Sequence, residues 1–223
     1  MWEVVDVIPT KEEWIKALND RHGIGLQKKI SLATVAICGL GGLGSNIAIA
    51  LARLGIGKLI LIDFDKVDIT NLHRQQYKAN QIGMRKTEAL RDNLKEINPY
   101  IVTEIHNVYV NENNAMSVLS DADIVCEAFD NPECKAMLTN LVLEKMCEKY
   151  IVAASGMAGL DSANLIKTRK ISKRFYLCGD EVSDIKDGIG LLSPRVMVCA
   201  AHQAHTVLRI IAEEWKEGNE NEQ

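Results

Sequence analysis

Thr34-Val35-Ala36-Ile37-Cys38-Gly39-Leu40-Gly41-Gly42-Leu43-Gly44 is the stretch on which the fold turns. Its first five residues are short and apolar toward both faces, the pattern of a strand covered on two sides. Gly39, Gly41 and Gly44 then satisfy G-x-G-x-x-G, and Leu43 to Leu54 reads as the helix that follows. Glycine permits the tight turn and lets backbone N–H groups approach a phosphate at the positive end of the helix. Asp63 closes the next strand, where a carboxylate accepts hydrogen bonds from ribose hydroxyls. The motif specifies a nucleotide without saying which one.

Outward from this stretch, short apolar runs alternate with helical patterns. Lys58 to Asp63, Ile101 to His106, Ala122 to Ala128 and Tyr150 to Ala154 read as further buried strands. Gly83 to Ile97, Asn111 to Leu119 and Pro132 to Lys149 read as helices; in the first, Leu90, Leu94 and Ile97 form one apolar stripe. Thr10 and Glu13 form a capping box for a helix through about Asn19. Ser193 and Pro194 open a last helix, with Met197, Ala200, Ala201, Ala204, Leu208 and Ile211 on its buried face. Ala163 to Leu177 reads as one or two edge strands. The expected fold is α/β, a Rossmann-like doubly wound, mostly parallel sheet with helices on both faces, in one domain spanning residues 1–223. The polar tail 217–223 is expected to fray.

With 223 residues, 47% of them hydrophobic, the chain can bury a core without a disulfide or metal staple. A net charge of −4 gives no electrostatic footprint for nucleic acid or an anionic membrane, so anions must be held by a few placed cations. The start, Met1 to Asp6, carries no secretory signal pattern. Ile30 to Ala52 is charge-free and long enough to span a bilayer, but its glycines would break a lipid-exposed helix, and a strand, a turn and a buried helix fit better. Cys38, Cys126, Cys134, Cys147, Cys178 and Cys199 contain no Cys-x-x-Cys pair, which argues against a zinc knuckle and suits a reducing cytoplasm.

The loop after the second strand is richer than a nicotinamide site requires. Asp63-Phe64-Asp65-Lys66-Val67-Asp68 leads to Asn71-Leu72-His73-Arg74-Gln75-Gln76. Arg grips phosphate oxygens with a fork of donors, and Asp holds Mg²⁺. Lys86 opens a helix, where a cation needs an anionic partner against the dipole. Asp130 and Asn131 follow the fourth strand on the same sheet edge. No Tyr is followed four residues later by Lys, and Gly83 to Thr87 lacks the upstream glycine of a Walker A loop.

These motifs together resemble the ubiquitin-activating-type adenylyltransferases, and within them the bacterial ThiF/MoeB/HesA group that activates sulfur-carrier proteins, from Arg21 to Ile211. Glu127 to Asn131, Ala154 to Gly159, Phe175 to Asp180 and Pro194 to Ala204 look most like the compact second ThiF subgroup, assigned to thiamine biosynthesis. The resemblance implies ATP- and Mg²⁺-dependent adenylation of the C-terminal glycine carboxylate of a small β-grasp carrier by a homodimer. Gly41 and Gly42 would meet the phosphates, Asp63 would hold the ribose, and Asn71, Arg74, Gln75 and Lys86 would neutralise charge as the carboxylate attacks the α-phosphorus, with Asp65 and Asn131 also in the nucleotide site. Asp130 would hold Mg²⁺, and Arg21 would reach the partner subunit's ATP. No zinc is implied, because the paired Cys-x-x-Cys of many relatives is missing. Cys178, in an expected mobile loop, is the one counterpart of the cysteine that forms covalent links in some relatives. His202 and His205, three apart, have the spacing of a metal pair but lack a third ligand, and Trp14 and Trp215 read as packing residues. Three other readings stand beside this one: a relative that activates a carboxylate on a modified tRNA adenosine, an NAD(P)-dependent oxidoreductase, and a nucleotide-sensing scaffold.

Overall fold

The computed structural model describes residues 8–219, with no side-chain description at 187 or from 214 onward; the opening Met1 to Asp6, the indole of Trp215 and the end of the tail lie outside the described residues. The elements are α1 (Lys11–His22), α2 (Ile24–Leu32), β1 (Thr34–Cys38), α3 (Gly42–Arg53), β2 (Lys58–Ile62), α4 (Lys86–Ile97), β3 (Val102–His106), α5 (Ala115–Val118), β4 (Ile124–Glu127), α6 (Pro132–Lys145), β5 (Tyr150–Ala154), β6 (Lys167–Lys170), β7 (Phe175–Gly179) and α7 (Ser193–Asn219). One seven-stranded sheet runs in the order β3-β2-β1-β4-β5-β7-β6, parallel except for β6. The chain winds outward from β1 to β3, then returns to place β4 on the other side of β1. The switch point therefore lies between β1 and β4, where ligands enter open α/β sheets.

Strand residues alternate between two cores. Val35, Ile37, Leu59, Leu61, Ile124, Cys126, Val152 and Ala154 face α2, α3, α4 and α7. Ala36, Cys38, Ile60, Ile62, Val125 and Ile151 face α5 and α6. This two-sided burial explains why β1 and β5 coincide with the runs read from sequence. The charge-free stretch from Ile30 to Ala52 resolves into the end of α2, β1 and most of α3, and no helix among the described residues is long and apolar enough to cross a membrane.

Other expectations need correction. The helix expected over Asn111 to Leu119 is four residues long, because Asn111 and Asn114 side chains take backbone N–H groups into turns. The helix α6 ends at Lys145, and Lys149 instead donates to the carbonyls of Ser120 and Ala122 at 2.8 and 2.7 Å. Gly83 adopts φ +88, which delays α4 to Lys86. Within 163–177 only β6 is an edge; β7 is inserted between β5 and β6. The buried face of α7 matches the expected one in part: Ala200, Ala204 and Ile211 are buried as expected and are joined by Val196, Cys199, Gln203 and Val207, while Met197 and Ala201 are exposed. Helix α7 also runs through the first three residues of the tail, to Asn219.

Candidate functional site at the C-terminal sheet edge

The glycines of the β1–α3 turn do different work. Gly39 adopts φ +92, and a Cβ there would stand 2.7 Å from Ala128 O, so it lets β1 and β4 close on each other at the switch point. A Cβ on Gly44 would fall 1.9 Å from Gly39 O, which makes that glycine a packing requirement. A Cβ on Gly42 would press on Val196 and lie 3.5 Å from the Arg74 stem. Gly41, the N-cap of α3, has only Gln75 Nε2 nearby, at 3.7 Å. The first turn of α3 is thus open beside Gly41, with no side-chain cap on its free N–H groups.

Asp63 lies just beyond β2 and is 7% exposed at its side chain. Its Oδ2 accepts from Leu40 N at 2.7 Å and its Oδ1 from Asp65 N at 2.8 Å, so it ties the glycine turn to the loop after β2. Burial raises its pKa, against the pull of Lys86 and the two N–H groups. Asp65 is the outward carboxylate, 46% exposed at its side chain. Lys86, itself nearly buried, donates to Asp65 Oδ2 at 2.7 Å and lies 3.9 Å from Asp63 Oδ2. Here is the anionic partner that a lysine at a helix N-terminus requires.

Residues 66–85 leave the sheet and fold back over α3. Asp68 accepts from Thr70 N and starts a short 3₁₀ turn whose Asn71 carbonyl accepts from both Arg74 N and Gln75 N. The return is locked onto α3: Ser45 Oγ accepts from Gln76 N at 3.1 Å, Gln76 Nε2 donates to Asn46 Oδ1 at 2.7 Å, and Tyr77 OH donates to Leu40 O at 2.7 Å. Two buried polar atoms here have no partner, Arg74 Nε and Gln75 Oε1. Orphaned polar atoms beside an uncapped helix N-terminus mark a place built for a polar ligand.

On the far side of the switch point, Asn131 Oδ1 accepts from Cys134 N at 3.0 Å and caps α6, with Pro132 in the first turn. Asp130 is exposed and its carboxylate has no partner. Among the described residues no group of three or more His, Cys, Asp or Glu side chains is arranged to hold a metal. A Mg²⁺ ion held at Asp130 would therefore draw its other oxygens from phosphates and water, the usual habit of a hard ion on a nucleotide. Phe64 and Tyr109 pack edge to face at 5.2 Å, and Tyr109 OH lies 2.8 Å from Cys134 Sγ. This aromatic pair links the ends of β2 and β3 to α6. Sequence reading passed it over, although Phe64 stands between the two singled-out aspartates.

The structure thus gathers Gly41, Gly42, Asp63, Asp65, Asn71, Arg74, Gln75 and Lys86 around the β1 and β2 ends, with Asp130 and Asn131 across the switch point. It does not bring Arg21 to them. Arg21 is exposed in the last turn of α1, and the α1–α2 junction leans on Gly55, at the opposite end of α3. Cys178 is not in a loop: it is a fully buried residue of β7, between Thr168 and Thr206. Burial pushes its thiol pKa up, against those two hydroxyls. His202 Nδ1 pairs with Thr168 Oγ1 at 2.9 Å, and His205 is exposed. A separate open concavity of about 570 Å³ lies over β6, lined by Leu160, Leu165, Arg169, Asp180, Val182 and Ile189 among others. Its lining mixes acids, cations and apolar residues.

The chain is 38% identical over 125 residues to the adenylyltransferase and sulfurtransferase MOCS3 of Caenorhabditis briggsae, covering 56% of this chain and 31% of that protein. It is 37% identical over 167 residues to ubiquitin-like modifier-activating enzyme 5 of Caenorhabditis elegans, covering 70% and 39%. It spans under half the length of these curated relatives. In fold it resembles the E. coli tRNA N6-threonylcarbamoyladenosine dehydratase TcdA, crystallised with ATP, at a TM-score of 0.83 and 20% identity, covering 95% of this chain and 99% of that one. The ThiF family model matches residues 16–223, and the chain belongs to the ThiF family.

Proposed function

We propose that the chain is a Mg·ATP-dependent adenylyltransferase that activates the C-terminal glycine carboxylate of a small β-grasp sulfur-carrier protein of the kind used in thiamine biosynthesis, acting as a cytoplasmic homodimer. One observation carries the reading: an uncapped helix N-terminus at Gly41 adjoins a half-buried Arg74 and a buried Gln75, whose Nε and Oε1 are buried without a partner, with Lys86 on the same edge. The names of the matched relatives, adenylyltransferase and modifier-activating enzyme, support it.

In the step proposed, a carboxylate oxygen of the carrier attacks the α-phosphorus. The bond from that phosphorus to its bridging oxygen breaks, and pyrophosphate leaves with the electron pair. No proton moves, because the attacking carboxylate is already ionised. Two anions must meet, so fixed donors and cations supply the catalysis. Backbone N–H groups at Gly41 and Gly42 receive phosphate oxygens, while Asp65 and Asp63 face the ribose. Arg74, Asn71, Gln75, Asn131 and Lys86 orient the triphosphate and offset its charge. Asp130 would hold Mg²⁺, which when bound neutralises part of the triphosphate charge. Arg21, remote from its own loop set, acts on the partner subunit's site. No zinc is required by this scheme.

Pyrophosphate–ATP exchange tests it: exchange appears only when a Gly-Gly-ended carrier is added and is lost in Arg74→Ala and Asp130→Ala. Full exchange in either variant sinks the proposed site. A second reading keeps the chemistry and changes the substrate to a carboxylate on a tRNA nucleotide. The fold likeness to the tRNA N6-threonylcarbamoyladenosine dehydratase supports it, and the net charge of −4 weighs against it. Tight, salt-dependent tRNA binding with no response to any carrier would select it.

A further inference from the structure

Glu127 and Lys135 contribute nothing to the site as its motifs describe it, yet they hold the turn that carries Asp130. Glu127 ends β4 and is wholly buried. An ionised carboxylate at that depth is costly unless donors surround it. Phe129 N donates to its Oε1 at 2.7 Å, and the Lys135 ammonium lies 3.0 Å from Oε1 and 2.9 Å from Oε2, an ion-pair contact at an oxygen that accepts no hydrogen bond of good geometry. The same ammonium donates to Phe129 O at 3.0 Å. Both peptide groups flanking Phe129 are therefore fastened to one ion pair.

The neighbouring residues are fixed as firmly. Ala128 N donates to Cys38 O at 2.8 Å, and Ala128 O is the atom that a Cβ on Gly39 would strike. Asn131 caps α6 through Cys134 N, and Lys135 N donates to Asn131 O at 3.0 Å, which returns the lysine beneath the turn. Between these anchors stands Asp130, exposed and unpartnered. A buried ion pair is a poor source of net stability compared with apolar packing, so its value here is geometric.

We propose that the Glu127–Lys135 pair is a positioning device that fixes the Asp130 carboxylate at the β1–β4 switch point for the divalent cation of a bound nucleotide. Neither residue touches the nucleotide or the cation. The inference rests on the adenylyltransferase reading and adds to it the residues that set its cation dependence.

The 223-residue chain is titrated with ATP by calorimetry, with and without Mg²⁺, and Mn²⁺ binding to the ATP complex is followed by electron paramagnetic resonance. Wild type binds ATP more tightly with Mg²⁺. Glu127→Gln and Lys135→Met keep Mg²⁺-free ATP affinity within about twofold, but lose at least tenfold of Mn²⁺ affinity and most of the Mg²⁺ increment. Lys135→Arg restores both. Glu127→Gln, which keeps the side-chain shape, carries the test if Lys135→Met does not fold. Variants with lowered Tm but the wild-type Mg²⁺ increment overturn the positioning role and leave the adenylyltransferase reading standing. A wild-type chain that binds no ATP overturns that reading, and the positioning role with it.

Discussion

Replacing Gly41 by alanine separates the loop's part in the fold from its part in binding. A Cβ at Gly41 meets only Gln75 Nε2, at 3.7 Å. The methyl group therefore fits the unliganded loop, and its cost is that of alanine in place of glycine at an N-cap, about 0.5–1 kcal/mol. In a chain of this size that lowers Tm by about 1–4 °C. The same methyl occupies the approach to the free N–H groups of α3. Loss of one charge-assisted hydrogen bond to phosphate weakens ATP binding by about 1.5–3 kcal/mol, a rise in Kd of about 10- to 150-fold. Gly44→Ala gives the opposite profile. Its Cβ would stand 1.9 Å from Gly39 O, backbone that cannot step aside. The overpacking costs about 3 kcal/mol or more, and Tm falls by at least about 6 °C. Thermal melts and ATP calorimetry on both variants provide the assay. Gly41→Ala with wild-type Tm and wild-type ATP affinity would refute the phosphate-binding argument.

Further outcomes follow from the same geometry. Lys86→Met removes the only lysine or arginine paired with Asp63 and Asp65 among the described residues. Carrier adenylate formation should fall by about 10²-fold or more, and a variant within threefold of wild type contradicts the role given to Lys86. Asp180 is pushed up by burial but drawn down to about 2 by hydrogen bonds from Ser183 and Val182 and by Arg195, from an ordinary 3.8. Because its folded value lies below its unfolded one, this stabilisation is complete above about pH 4–5 and is lost as pH falls toward 2. The shift corresponds to about 2 kcal/mol, so Asp180→Asn should flatten denaturant stability across that acid limb; an unchanged limb contradicts it. Alkylation of the native chain followed by peptide mass spectrometry should modify exposed Cys147 and spare buried Cys178. Rapid labelling of Cys178 would contradict its burial in β7.

Much of the fold was legible because the sheet is covered on both faces. β1 and β5 needed only their apolar runs, and the turn from β1 into α3 followed from G-x-G-x-x-G after the first strand. The face of α7 was legible only in part because buried Gln203 interrupts its apolar stripe: its amide donates to Glu127 O and Val152 O at 3.0 and 3.1 Å, tertiary bonds invisible in periodicity. Helix α2 passed unread because its apolar end merges with the charge-free run into β1. Cys178 was placed in a loop because Gly179 and Asp180 follow it, yet Gly179 still belongs to β7. The site residues on the loop after β2 were readable as a set of donors and acids. Their division of labour was not, since only coordinates distinguish buried Asp63, which ties the turn, from outward Asp65. Glu127 and Lys135 were unreadable as a pair, because nothing in an eight-residue spacing announces a shared ammonium beneath a turn.

The central claim is that this sheet edge joins an adenylyl group to a carrier's terminal carboxylate. Intact mass spectrometry of Gly-Gly-ended carriers incubated with the chain, Mg²⁺ and ATP tests it most directly. The account predicts a carrier bearing one AMP, formed with release of pyrophosphate and absent in Arg74→Ala. Carriers that remain unmodified while a tRNA acquires the activated group, or an adenylate that forms equally well in Arg74→Ala, would contradict it.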